Sequence, residues 1–361
     1  MAIETQSATR RLVSLDAFRG FTIFWIVGGA GLVRGLEQIG QHPVIGMLAY
    51  QLHHSDWEGL RFYDLIWPSF MWMTGMSLPF SYAKRIQTQS HREIFARVLR
   101  RFVVLFLLGS VRESVNLGSP HLVELSSALQ PIAIAYLFAF LLIRKSVRFQ
   151  AAVGAGILAG YALLLAFVPP PGGSSYAKGA NLLLAVDLAV LGRSLEEGWG
   201  TVLSTIPILS TTILGLLIGR LLMGSRSPER KCGIIALTGL GALALGWALS
   251  GVVPIVMKLW TTSYGLASAG WACLMFLFFY WVIDVRGSRR WAFFFVVIGM
   301  NALAVYMGRT LVPLKKMVDI FTAGMAAASG AYGFLLQYVA FIVVEWLILY
   351  WMYKRRIFLT A

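Results

Sequence analysis

Histidine is scarce here, five among 361 residues, so where it stands narrows the chemistry. His54 opens the stretch HSDWEGLRFYDLIWP at 54–68, rich in aromatic and acidic side chains. Imidazole titrates near pH 6.5 and so suits proton transfer at neutral pH. His54 is therefore the candidate acid–base group, and a solvated loop histidine is the plain alternative. Adjacent His53 and His54 cannot both face one ion as i,i+3 or i,i+4 pairs do, and no metal site is expected. No Gly-x-Ser-x-Gly elbow occurs, so a serine nucleophile finds no support.

Three further ionisable groups interrupt long apolar runs, where each costs about 2.5–3.5 kcal/mol on insertion scales. Asp16 and Arg19 lie three apart, hence on one helix face, and read either as a self-neutralising pair or as a pocket for an anionic ligand on the cytoplasmic side. Glu345 stands mid-run near the C-terminus and reads first as an interhelix tie and second as a catalytic acid.

The elements that must position these groups follow from composition. Fully 58% of residues are apolar and 13% charged, with a mean hydropathy of +0.72, against about 45–50% and about 25% in soluble domains. A helical span needs roughly 20 apolar residues. Ten such runs fall near 15–34, 62–83, 99–117, 122–143, 150–169, 201–223, 232–250, 264–283, 291–311 and 333–353. The expected fold is an all-α polytopic membrane bundle forming a single domain over 1–361, with no linker or detectable repeat.

Cytoplasmic loops retain Lys and Arg. With the N-terminus inside, 21 of the 31 basic residues fall on inside segments, nine fall outside, and Arg19 lies within a run. The inside set includes Arg10, Arg11 and the loop bearing Lys84, Arg85, Arg92, Arg97, Arg100 and Arg101. Both termini are then cytoplasmic, and His54 is outside. Spread over six cytoplasmic edges, the net charge of +15 calls for no nucleic-acid partner. Cys232 and Cys273 have no metal spacing and no expected disulfide. Arg10-Arg11 ahead of Gly20 to Val33 imitates a twin-arginine signal, but Asp16 and Arg19 interrupt it and no cleaved leader is expected. Two outside loops, 35–61 and 170–200, exceed the usual length of about 12–15 residues, beyond which a connection is usually functional or disordered. The second runs from the Pro-rich segment around Pro171 to Glu196-Glu197 and carries a short apolar helix, Leu182–Leu191, read as surface-lying or re-entrant.

The chain resembles the heparan-α-glucosaminide N-acetyltransferase family of transmembrane acyltransferases. The segments that carry the resemblance are SLDAFRG at 14–20, HSDWEGLRFYDLIWP at 54–68, LQPIAIAYL at 129–137, GTVLSTIPILSTTILGLLIGRLL at 200–222, LWTTSYGL at 259–266 and GMNALAVYMG at 299–308. They occur in family order along essentially the whole chain. The resemblance implies that acetyl moves from cytosolic acetyl-CoA, the donor substrate, to the amino group of a glucosamine-type sugar on the periplasmic or lumenal side. It implies His54 as the catalytic histidine with Asp64 as its acid, and it places Asp16, Arg19, Trp57 and Asn301 at substrate or cofactor positions. A bacterial cytoplasmic membrane is expected ahead of a lysosomal one, the bilayer is a partner, and a homodimer is allowed. Where the family carries an Asn near the outer end of the first span, this chain has Gly28-Gly29-Ala30-Gly31.

On that reading His54 removes the amine proton or itself carries the acetyl group. Asp64 fixes the imidazole tautomer or is simply a helix-start acid. Asn301 donates to the thioester oxyanion or ties helices together. The Gly28–Gly31 stretch is expected to let the pantetheine arm of the donor pass close to backbone. A transporter of amino sugars or cell-wall fragments is the rival class, and a non-catalytic scaffold the third.

Overall fold

A computed structural model describes residues 12–359 apart from Gln41, Pro171, Ser194, Glu196 and Glu197. Arg10, Arg11, Pro171 and the Glu196-Glu197 pair of the sequence reading therefore lie outside the described residues. Among the described residues the fold is helical throughout, with one isolated backbone bridge between Glu58 and Val256 and no named strand.

In chain order the helices are α1 (Val13–Phe24), α2 (Ala30–Glu37), α3 (Pro43–Leu52), α4 (Ile66–Arg85), α5 (His91–Leu117), α6 (Leu129–Leu142), α7 (Val147–Phe167), α8 (Leu182–Leu191), α9 (Thr205–Met223), α10 (Pro228–Leu249), α11 (Thr262–Phe279), α12 (Phe293–Met300), α13 (Ala302–Leu311), α14 (Leu314–Ala328) and α15 (Gly333–Lys354). A π turn, Trp25–Gly29, joins α1 to α2, and a 3₁₀ turn, Phe62–Leu65, precedes α4. The starts obey local chemistry. Ser90 and Glu93 close a capping box on α5, Asn181 accepts from Leu184 N–H at the start of α8, and Ser227 caps α10 with Pro228 in its first turn. Each such cap satisfies donors that the helix cannot.

Each of the ten expected runs contains helix, although the run near 122–143 is helical only from Leu129. Among the described residues, six stretches are long and apolar enough to cross a bilayer: Val13–Glu37, α7, α9, α10, Thr262–Val285 and Gly330–Lys354. The pair α12 and α13, bent by 67°, makes a seventh if counted as one span. The chain is thus a helical multi-pass membrane protein. Helices α4 and α5 are too polar and α6, at 14 residues, too short to meet the same measure. Helix α14 was not among the expected runs. Its apolar residues Met317, Ile320, Phe321 and Met325 recur at helical spacing, and all four are exposed.

The chain divides into two compact units, described separately. One comprises Ser55–Leu60 and Trp67–Trp281. Its core is aromatic and aliphatic, with Trp72, Trp260, Tyr264 and Phe276 fully buried. There α4 and α9 meet backbone to backbone: a side chain at Gly75 would overlap the Thr212 carbonyl, and one at Gly215 the Trp72 carbonyl. The other unit comprises Leu12–His54, Arg61–Ile66 and Val282 onward. In it α1 and α12 are in equally close contact, through Gly20 against Phe295 and Gly299 against Asp16. Small residues at such crossings let membrane helices gain close packing where lipid offers no hydrophobic driving force.

Candidate functional site

The second unit holds His54, and its position follows from how α3 ends. Helix α3 stops at Leu52, with His53 extended at φ −99° and ψ 152°. Ala49 and Leu52 are buried with Val33 against Trp25, Phe62 and Tyr63. That cluster brings the end of α3 onto the 3₁₀ turn carrying Asp64. The Gln51 side chain accepts the Phe62 N–H at 3.0 Å, and the Arg61 guanidinium donates to the His54 carbonyl at 2.7 Å while stacking 4.1 Å from the Tyr50 ring centroid.

The result is a histidine–carboxylate pair. His54 Nδ1 lies 2.8 Å from Asp64 Oδ1, and the Asp64 side chain is fully buried while that of His54 is 42% exposed. Asp64 Oδ2 accepts the Arg61 N–H at 2.9 Å, which holds the carboxylate toward the ring. The two alternatives for Asp64, helix-start acid and histidine partner, are therefore both realised, one oxygen each. A carboxylate partner assigns the proton to Nδ1 and leaves proton exchange with a substrate to Nε2. His53, by contrast, stands 4.0 Å from Glu37.

Tyr63 packs edge-on against His54 with ring centroids 4.7 Å apart. Burial pushes its phenol above the usual value, opposed by the positive charges of Arg309 and Arg34. Arg309 has a structural explanation of its own. The π turn loosens the carbonyls of Ile26 and Val27, and Arg309 donates to them at 2.7 and 2.6 Å, while the Tyr338 hydroxyl donates to Val27 at 3.1 Å. Sequence reasoning counted Arg309 only as an outside charge and passed over Tyr63. The available signals were a lone arginine directly after GMNALAVYMG and an aromatic next to Asp64.

The glycine stretch is not an open path. A side chain at Gly28 would meet Ile342, one at Gly29 the Trp25 ring, and one at Gly31 the Tyr338 ring. The expectation that a donor arm passes along this backbone gives way, because neighbouring side chains already occupy the space that the glycines leave.

The other expected residues lie elsewhere. Asp16 and Arg19 pair at 3.6 Å, as their spacing predicts. The start of their helix is held by Asp284, which accepts the Ser14 N–H at 3.1 Å. Asn301 is fully buried at the bend between α12 and α13. Its amide donates to the Ile357 carbonyl at 3.1 Å and accepts from Leu359 N–H at 3.0 Å, so both ends of the side chain hold the C-terminal segment. Trp57 belongs to the other unit, where its indole N–H donates to the Tyr176 carbonyl at 2.8 Å and its ring packs with Tyr161, Leu183 and Leu259. Glu345 is half-buried in α15 and interacts electrostatically with Arg309.

Two motif segments have structural duties in the first unit. Gln130, fully buried, accepts from Glu124 and Leu125 N–H at 2.9 and 2.8 Å and donates to Ser110 and to the Leu122 carbonyl. Asp187 accepts from Thr201 N–H, the Thr201 hydroxyl and Val202 N–H at 2.8, 3.0 and 2.9 Å. Burial pushes the Asp187 carboxyl up, against the pull of those bonds.

Comparison with known proteins agrees with the resemblance read from the motifs. Residues 11–169 match a family model described as a domain of unknown function, DUF5009. The chain is 24% identical over 362 residues to human heparan-alpha-glucosaminide N-acetyltransferase, covering 82% of this chain and 52% of that protein. It is 23% identical over 417 residues to the mouse protein of the same name, covering 98% of this chain and 61% of that protein. The similarity is distant but runs along most of the chain, which spans little more than half the length of the curated relatives it matches.

Proposed function

We propose that this protein is a membrane N-acetyltransferase that takes acetyl from acetyl-CoA and places it on the amino group of an amino sugar, with His54 as the proton-transferring group. The observation that carries the reading is the buried Asp64 carboxylate fixed on His54 Nδ1. An amine attacks a thioester only as its free base. A tautomerically fixed imidazole near neutral pH is suited to take that proton at Nε2 and pass it to the departing thiolate. The names of the distant relatives support acetyl transfer to a glucosaminide amine.

We place the donor on the cytoplasmic side and the acceptor on the other, in a bacterial cytoplasmic membrane. Ten spans with both termini inside give this sidedness, counting α4, α5 and α6 as crossings and α12 with α13 as one broken crossing. Asp16 and Arg19 are then the donor-side charges and Trp57 an acceptor-side aromatic. The whole chain serves as one acyltransferase domain, and a homodimer is compatible with it.

The bend between α12 and α13 favours the transporter reading, since broken helices line many transport sites. Here, however, the polar side chain at the break is bound to the protein's own C-terminal segment. Purified protein given labelled acetyl-CoA and a panel of amino sugars decides between them. Acetylated product supports the transferase. Binding or flux of the sugars with no consumption of acetyl-CoA supports the transporter.

A further inference from the structure

Within the unit that holds His54, α13, α14 and α15 line an open cleft of about 530 Å³. Its α15 wall is Tyr338, Phe341, Glu345, Ile348, Leu349 and Met352, spaced so that they share one helix face. From first to last they cover about 21 Å at 1.5 Å per residue, more than one leaflet of a hydrocarbon layer about 30 Å thick. The two ends differ. At the Tyr338 end Lys315 lies over the Tyr338 ring at 5.5 Å, and Arg309 donates to the same Val27 carbonyl that Tyr338 does. Lys316, next to Lys315 in the chain, also lines the cleft, and the far end of the α15 wall is Ile348, Leu349 and Met352. Asp319 neutralises Lys315 at 2.7 Å, and Glu345 offsets part of the charge of Arg309. Arg309, Lys315 and Lys316 still outnumber these two acids.

An apolar slot in a spanning bundle is filled by hydrocarbon, and a cationic mouth selects hydrocarbon that carries an anion. Tyr63 links this mouth to the reaction. Its ring touches His54, and it packs against the same cluster as Trp25, which opens the π turn whose Val27 carbonyl Arg309 and Tyr338 share. A ligand with its anion at the mouth would therefore present its head beside Tyr63 and His54.

We propose that the acceptor amine arrives on a lipid, as part of the headgroup of a phosphate-bearing membrane lipid. Its phosphate lies on Arg309 and Lys316, and one hydrocarbon chain runs along Phe341, Leu349 and Met352. This rests on the transferase reading. The amine nitrogen forms the bond to the acetyl carbon, the carbon–sulfur bond breaks, and the amine proton travels through His54 to the CoA thiolate. A glycerophospholipid with an amino headgroup and a prenyl phosphate bearing an amino sugar share this chemistry.

Lipid retention and acetyl transfer are measured separately on full-length protein in nanodiscs of phosphatidylcholine. The discs are doped in turn with phosphatidylglycerol, phosphatidylethanolamine or prenyl-phosphate glucosamine, and free glucosamine is the soluble control. The wild type should retain phosphatidylglycerol at least about tenfold over phosphatidylcholine by native mass spectrometry. Ala304→Trp, which fills the cleft, and Lys316→Glu, at an exposed position, should each remove that preference. One of the two lipid-borne amines should be acetylated at least about 100-fold more efficiently than free glucosamine, and which one identifies the source. Equal retention by wild type and both variants overturns the cleft, whatever the transfer assay gives. Retention without acetylation of any amine overturns the transferase reading and, with it, the lipid as acceptor. Free glucosamine acetylated as efficiently as the lipid-borne amines overturns the lipid acceptor alone.

Discussion

Asp64 and Asp187 are the same side chain in nearly the same burial, 0% and 1% exposed, each in its own unit of the chain. Each is met by backbone N–H groups a short distance away in sequence. Asp187 spends both oxygens on Thr201 and Val202, fixing the turn that leads into α9. Asp64 spends one oxygen on the Arg61 N–H and the other on an imidazole that faces solvent. Burial and hydrogen-bond count alone do not separate a structural acid from a catalytic one. What separates them is whether the partner can itself exchange a proton with a substrate.

Substitution of the two acids should therefore break different things. Asp64→Asn should lower acetyl transfer by about 10²–10⁴-fold, the usual worth of a positioned acid–base group, because an amide can turn its NH₂ to Nδ1 and select the wrong tautomer. Its thermal midpoint should stay near that of the wild type, so transfer per folded molecule is the readout. Asp187→Asn should do the reverse. It leaves at least one buried N–H without an acceptor, at about 1–3 kcal/mol, seen as an earlier thermal transition in detergent with transfer per folded molecule unchanged. A large loss of specific activity in Asp187→Asn would erase the distinction.

Arg61→Ala sharpens the comparison, since the Arg61 side chain donates to the His54 carbonyl at an exposed site and lies over the Tyr50 ring. Transfer should fall no more than about tenfold, consistent with a charged hydrogen bond discounted for exposure. The smallest effect is in pH. Burial raises the Asp187 pKa above that of the unfolded chain, so its contribution favours folding below the ordinary carboxylate range and is lost as pH rises through the folded value. Thermal midpoints taken across the acid range should show this component in wild type and not in Asp187→Asn.

The same contrast governs what the sequence made legible. The helical runs could be read because lipid demands about 20 apolar residues whatever the tertiary contacts, and each of the ten contains helix, the one near 122–143 only from Leu129. Helix α14 escaped because only one of its faces is apolar, and a search for continuous apolar runs passes over such a pattern. His54 was visible through its scarcity and its segment. The bond to Asp64 depends on where α3 stops relative to the 3₁₀ turn, which spacing alone does not give. Asn301 was readable as a polar group in a run, but its partner is the backbone at Ile357 and Leu359, more than 50 residues on. Arg309 was unreadable for the same reason, since the carbonyls it satisfies are exposed only by a π turn in another helix.

The central claim is that His54 and Asp64 act as one catalytic unit, and a double-substitution cycle tests it most directly. Transfer of labelled acetyl from acetyl-CoA to an accepted amine is measured in wild type, His54→Ala, Asp64→Asn and the double variant, each normalised to folded protein. The account predicts that both single variants are severely impaired and that adding Asp64→Asn to His54→Ala costs less than about twofold more, because the carboxylate acts only through the imidazole. Wild-type transfer in His54→Ala, or a full additional loss in the double variant, would contradict it.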